Sequence, residues 1–219
     1  MVCKKEHEVR DRMSSRVVKV WEAVGGIDVL VLASLLAVMG GIWVFLALAD
    51  QVVDGETSRF DEAILLAFRN SEDLADPIGG PVVEELVRDL TALGGVAVIG
   101  LVTASAFGFL IMDRKYHAAV LVLMAVVGGQ VISILLKGLY DRPRPDVVPH
   151  LMHASQASFP SGHSLLAAVT YLTLGALMAR LVIKARLKVF IVLIALVIAA
   201  LVWISRVYLG VHYPTDVLA

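Results

Sequence analysis

The sequence predicts an all-α integral-membrane protein, and three observations carry that expectation. Of its 219 residues, 58% are hydrophobic, and the mean hydropathy is +0.82; soluble domains hold about 45–50% apolar residues. The apolar residues gather into blocks of about 20, long enough to cross a bilayer as helices. Short charged turns separate most of these blocks. The length suits one domain. A formal net charge of −1 gives no reason to expect a nucleic-acid partner. The single cysteine, Cys3, excludes an internal disulfide framework and a metal site built on cysteines.

Taken in order, residues 1–22 are polar and rich in Lys and Arg. The first apolar run, 29–49, is uncharged and long enough to span. Ala47-Leu48-Ala49 resembles a signal-peptidase site, but the run exceeds a signal h-region and more spans follow, so a retained helix is expected. Residues 50–93 hold eleven acidic residues and three arginines. Within them Phe60, Ile64, Ala67 and Phe68 recur at helical spacing, with Arg59, Asp61, Glu62 and Arg69 around them. This predicts a short amphipathic helix, either lying on the membrane surface or packed as a cap on the bundle. Asp76-Pro77 and Gly79-Gly80-Pro81 break the chain, and a helical stretch over 82–93 leads to the next span. Further spans are expected at 95–112, 116–136, 161–182 and 189–204. Asp113-Arg114-Lys115 and the Lys184–Lys188 segment turn the chain between them. A proline-containing loop occupies 138–159, and a sixth helix begins after Pro214.

Charge orients these spans. With the N-terminus inside, the inner segments hold Lys4, Lys5, Arg10, Arg12, Arg16, Lys19, Arg114, Lys115, Arg180, Lys184, Arg186 and Lys188, which is 12 of the 19 cations. That excess is the positive-inside pattern. Arg59, Arg69 and Arg88 fall outside in the acidic loop. Lys137, Arg142, Arg144 and Arg206 fall at outer span ends, where the rule disfavours them.

Those exceptions coincide with three motifs at one membrane level. The first runs from Lys137 to Arg144-Pro145. The second is Pro160-Ser161-Gly162-His163. The third is Ser205-Arg206, then His212, then Asp216. Lys137, Arg144 and Arg206 together suit a multiply charged oxyanion, since Arg offers a planar fork and Lys a point charge. Any one of them alone would read as a cation snorkelling to headgroups. Ser161 suits a helix N-cap, Gly162 allows close backbone approach, and a helix start presents free N–H groups to an anion. Asp216, four residues after His212, can accept from one imidazole nitrogen and leave the other free as a nucleophile. One histidine then attacks phosphorus; the other protonates the leaving oxygen and later activates water. No metal or other cofactor is needed. A zinc site from His163, His212 and Asp216 is disfavoured because the neighbouring cations would repel it. His7, His117, His150 and His153 lack such a setting and read as surface or loop residues.

These residues resemble the type 2 phosphatidic acid phosphatase (PAP2) superfamily, whose pattern is KxxxxxxRP, PSGH and SRxxxxxHxxxD. All three are met without substitution, in order, from Lys137 to Asp216. The resemblance implies a six-helix bundle and metal-independent catalysis. It implies His212 as nucleophile, Asp216 as its partner and His163 as general acid. Lys137, Arg144, Ser161, Gly162 and Arg206 would hold the phosphate. Arg142 lies outside the fixed positions and either adds to the cationic patch or pairs with Asp141. Members have a helix after the motif aspartate, and this chain stops three residues beyond Asp216, so a chain truncated before its sixth helix is expected; a protein that truly ended there would hold Asp216 poorly. The soluble relatives with these motifs, vanadium haloperoxidases and acid phosphatases, are disfavoured by the spans. The implied substrate is a membrane lipid phosphate: undecaprenyl diphosphate, phosphatidylglycerophosphate, phosphatidic acid or a lipid A phosphate. A lipid phosphotransferase is an enzymatic alternative, and a non-catalytic lipid-binding bundle is an alternative of another class. The sequence carries no reading of oligomeric state.

Overall fold

The structure, a computed structural model, describes residues 29–152 and 157–219. The basic segment 1–22 with its six cations and His7, and His153 in the proline-containing loop, lie outside the described residues. Among the described residues the regular elements are eight α-helices, with one isolated bridge pairing Arg69 with Pro77. Two compact units meet in sequence between Ala47 and Leu48. The first unit contains most of α1 (Val29–Val53), 25 residues with no charge before Asp50. It therefore has the length and composition of a span.

The second unit holds the remaining helices. They are α2 (Ser58–Ala67), α3 (Gly80–Ala92), α4 (Val96–Met112), α5 (Tyr116–Tyr140), α6 (Gly162–Leu181), α7 (Ala185–Tyr208) and α8 (Pro214–Leu218). Helices α5, α6 and α7 are each long and apolar enough to cross a membrane. The 17-residue α4 reaches that length only together with α3, across a bend of 44°. The helical stretch expected over 82–93 is α3, and the structure makes it the first arm of a bent pair. Gly94-Gly95 explains the bend. The N–H groups of Leu93, Gly94 and Gly95 turn back to the carbonyls of Leu90, Thr91 and Ala92 at 3.2, 3.0 and 2.9 Å. These tight bonds end α3, and Gly95 is extended (φ −72°, ψ 147°) at the start of α4.

Helix α6 packs against both α5 and α7, α4 packs against α5, and α3 packs against α7. Large apolar side chains such as Leu101, Leu135 and Phe190 point outward. Outward apolar faces are expected where the solvent is hydrocarbon, so helix association relies on close packing of small residues. Gly175 of α6 is the tightest case between spans: a Cβ there would stand 2.9 Å from the Cβ of Ala195 on α7. Gly175→Ala is expected to cost about 1–3 kcal/mol through overpacking. Gly100→Ala, where a Cβ meets nothing within 4 Å, is expected to leave stability near wild type. Thermal midpoints of the two variants in detergent would show the difference.

Helix α2 departs from the surface-helix expectation and follows the cap. Phe60 and Ala67 are exposed, whereas Asp61 and Leu65 are fully buried. Leu65 packs with Val148, Val207 and Val217, joined by Ile64 and Phe68. Phe68 also meets Tyr208 edge to face at 5.8 Å. The inward stripe is therefore 61, 64, 65 and 68, with a carboxylate in it. Arg69, expected on the polar side, is buried and donates to the carbonyl of Tyr208 at 2.9 Å. The loop after α7 admits that arginine because Gly210 has a positive φ of 72° and no side chain; a Cβ there would stand 2.8 Å from Arg69 Nη2.

Candidate active site

The first two motifs are stitched together by loop hydrogen bonds. Lys137 stands in the last turn of α5, and its Nζ donates to the carbonyl of Ala157 at 2.6 Å. After α5, Ser158 donates from its N–H to the Arg142 carbonyl at 2.9 Å and from its hydroxyl to the Pro143 carbonyl at 3.0 Å. Phe159 packs edge to face on Tyr140 at 5.1 Å. These contacts carry residues 158–161 to the end of α5.

Helix α6 begins at Gly162 with Ser161 in the N-cap position. The serine does not cap with its side chain, as the sequence suggested. Its Oγ accepts from Ser164 Oγ at 2.9 Å, and its N–H donates to the carbonyl of Asp216 at 2.8 Å. The first-turn N–H groups have no acceptor within their own helix by geometry, so an anion can be received there. Gly162 stands close to α5: a Cβ would lie 3.1 Å from Ser133 Oγ and 3.8 Å from Lys137 Cε. His163 is backed by the α3–α4 bend, where a Cβ on Gly94 would lie 2.9 Å from the His163 carbonyl. Arg206, Lys137 and Arg144 all act electrostatically on His163.

The third motif comes from the end of α7 and the start of α8. Arg206 is almost wholly buried and donates from one Nη to Thr91 Oγ1 at 3.2 Å and to Met152 Sδ at 3.0 Å. Its Nε is buried with no partner among the described residues, a costly arrangement that an anion would relieve. Arg144 donates to the Val211 carbonyl at 2.5 Å and reaches His212 Nε2 at 3.3 Å. Arginine can only donate, so this contact requires an unprotonated Nε2, with the ring proton on Nδ1. Nδ1 faces Asp216 Oδ2 at 3.5 Å, at the outer limit of a hydrogen bond and not geometrically complete as one. Such contacts commonly tighten when substrate binds.

Asp216 is held at both carboxylate oxygens. Its Oδ1 accepts from Arg142 at 2.6 Å and its Oδ2 from the Tyr213 N–H at 2.8 Å. Burial works against its charge, yet His212, Arg142 and the Tyr213 N–H keep its pKa below the ordinary carboxylate value. Arg142 does not pair with Asp141, which is exposed; it pairs with Asp61 at 2.9 Å and with Asp216.

His212 is buried, and burial first of all, together with Arg206 and Arg144 and against the pull of Asp216, lowers its pKa to about 3. The ring is therefore neutral at physiological pH, as a nucleophile requires. The unfolded chain binds a proton at His212 below about pH 6.5, while the folded chain stays neutral to about 3. Stability from this group is therefore present above pH 6.5 and lost as pH falls. Between pH 7 and pH 5 the loss is about 2 kcal/mol. Thermal midpoints at the two pH values should show a smaller acid-induced drop in His212→Asn than in wild type.

The structure thus gathers Lys137, Arg144, Ser161, Gly162, His163, Arg206, His212 and Asp216 at one end of the bundle. It adds Asp61 and Thr215, which sequence reasoning did not assign, and Arg142, which it left between the cationic patch and a pair with Asp141. The available signal was Asp61's register with Leu65 and Phe68, four and seven residues on.

Comparison with known proteins identifies relatives in sequence and in fold. The PAP2 superfamily model matches residues 118–219. Phosphatidylglycerophosphatase B of Bacillus subtilis (strain 168) is 36% identical over 179 residues, covering 80% of this chain and 82% of that protein. The crystal structure of a transmembrane PAP2-type phosphatidylglycerolphosphate phosphatase from Bacillus subtilis superposes with a TM-score of 0.69 at 33% identity, covering 81% of this chain and 85% of that one. The fold is also similar to Aquifex aeolicus LpxE, with a TM-score of 0.56 at 24% identity over 73% of this chain and 86% of that one.

Proposed function

Because this chain belongs to the PAP2 superfamily, we propose that it hydrolyses a phosphomonoester or diphosphate of a membrane lipid through a phosphohistidine on His212. The observation that carries the reading is His212 itself: buried, neutral, with Nε2 turned to Arg144 and Nδ1 turned to Asp216. A neutral imidazole whose accepting nitrogen lies among cations is placed to attack a phosphorus that those cations hold. Lys137, Arg144, Arg206, the Ser161 hydroxyl and the first-turn N–H groups from Gly162 onward hold the phosphate oxygens. They stabilise the charge that spreads over them in the transition state.

In the first step the Nε2–P bond forms and the P–O bond to the lipid breaks. His163 gives its proton to the departing oxygen. In the second step His163 takes a proton from water, whose oxygen attacks phosphorus, and the Nε2–P bond breaks to release inorganic phosphate. Asp216 stabilises the positive charge that His212 acquires and holds its tautomer.

Phosphatidylglycerophosphate ranks first among substrates because the Bacillus relative that carries that name is 36% identical across most of both chains. A panel of phosphatidylglycerophosphate, phosphatidic acid and undecaprenyl diphosphate, offered in detergent with EDTA, tests both points. Phosphate release from the first at the highest kcat/KM is expected. No release from any of them would sink the enzyme reading, and transfer to a second lipid without free phosphate would favour a phosphotransferase.

The protein is a multi-pass membrane protein. We place its site on the outer face, with the N-terminus inside, from the positive-inside count. Reporter fusions at residues 150 and 185 are expected to report outside and inside respectively; the reverse result would move the site to the cytoplasm.

A further inference from the structure

We infer that Asp61 of the cap helix α2, acting through Arg142 and Thr215, is a positioning residue that sets the His212–Asp216 geometry. The inference rests on the reading of His212 as nucleophile with Asp216 as its partner.

Asp61 is fully buried, 155 positions before Asp216, and every oxygen it has is used on the catalytic turn. Oδ1 accepts the Thr215 N–H at 3.0 Å. Oδ2 accepts the Thr215 hydroxyl at 2.7 Å and Arg142 Nη2 at 2.9 Å. Arg142 spreads its planar fork across two carboxylates, Nη2 on Asp61 and Nη1 on Asp216 Oδ1 at 2.6 Å. The same Nη1 donates to Thr215 Oγ1 at 2.9 Å, which closes a ring of three side chains, Asp61, Arg142 and Thr215, with Asp216 held from its arginine. The Tyr213 ring covers the guanidinium at 4.2 Å.

Three physical reasons make this ring a positioning device. The N–H of Thr215, the second residue of α8, has no acceptor within its own helix and is satisfied from outside by Asp61. A single guanidinium pairs with two buried carboxylates, so moving either one breaks an ion pair at low dielectric. The Asp216 carboxylate is gripped by Arg142 on one oxygen and by the Tyr213 N–H on the other. Its rotation about Cβ–Cγ is thereby set, and with it the oxygen that His212 Nδ1 faces. Freeing Arg142 from Asp61 lets the fork swing, and Asp216 follows.

The test is a double-mutant cycle on the full chain in detergent micelles of phosphatidylglycerophosphate, with kcat and KM measured separately. Asp61→Asn is expected to lower kcat roughly ten- to hundredfold, the range seen when a supporting hydrogen-bond partner is removed, with KM within about twofold. In the Asp216→Asn background the same change is expected to have almost no further effect, because two links of one chain do not add. A merely structural role would give the same factor in both backgrounds, and that result would overturn the inference. If Asp61→Asn does not fold, Thr215→Val and Thr215→Ser decide the matter, since both keep all charges. Valine is expected to lower kcat severalfold and serine, which keeps the hydroxyl, to restore it; equal kcat in both would overturn the inference. An Asp216→Asn protein with wild-type kcat would instead refute the parent reading of Asp216.

Discussion

Replacing His212 by Ala is expected to lower kcat by roughly a thousandfold or more, the scale of loss when an enzyme's nucleophile is removed and only binding and electrostatic stabilisation remain. The side chain is buried and its Nε2 is held towards Arg144 at 3.3 Å, so no neighbouring group can take its place. KM should change little, because Lys137, Arg144 and Arg206 remain to bind phosphate. A phosphoenzyme that survives an alkaline quench and is lost in acid should form in wild type and be absent from the variant. A His212→Ala protein that kept its activity, or kept its phosphoenzyme, would overturn the nucleophile assignment.

His163→Gln is expected to lower turnover of a lipid phosphate by about 10²–10⁴-fold, the usual worth of a positioned acid–base group. Its more telling effect concerns the leaving group. An aryl phosphate departs as a stable phenolate and needs no proton, so formation of the phosphohistidine should be largely preserved with that substrate. Attack by water still lacks a base, so the phosphoenzyme should accumulate after one burst of phenol. Stopped-flow detection of that burst checks the assignment. A variant equally slow in both steps with the aryl substrate would make His163 a binding group instead.

The helices were readable because composition and period act locally. The run 116–136 has no charged residue until Lys137, and α5 continues to Tyr140, with its last turn carrying the lysine to the site. The expected start of the fourth span at 161 meets α6 at Gly162. Helix ends were less readable: α5 and α7 run about one turn past the apolar runs, because a helix stops where its carbonyls find other donors. The α3–α4 bend was hidden because Gly94-Gly95 reads as an ordinary loop. Its role depends on His163 and Val202 lying against it, the latter 2.7 Å from a Cβ placed on Gly94.

The two acidic residues with the same buried carboxylate show where sequence reading divides from structure. Asp216 was assigned from sequence because its partner His212 lies four residues away, within one turn, and because its motif has fixed spacing. The sequence reading sets Asp61 among the polar residues around the apolar stripe, since an isolated carboxylate is expensive to bury, although it stands in register with Leu65 and Phe68. What the sequence determined by itself was the membrane class, the spans and the motif residues, all consequences of short-range pattern. What only the tertiary structure decided was which charges meet. Burial of Asp61 becomes favourable when Arg142, 81 positions on, arrives to neutralise it, and no local pattern in either segment records that meeting.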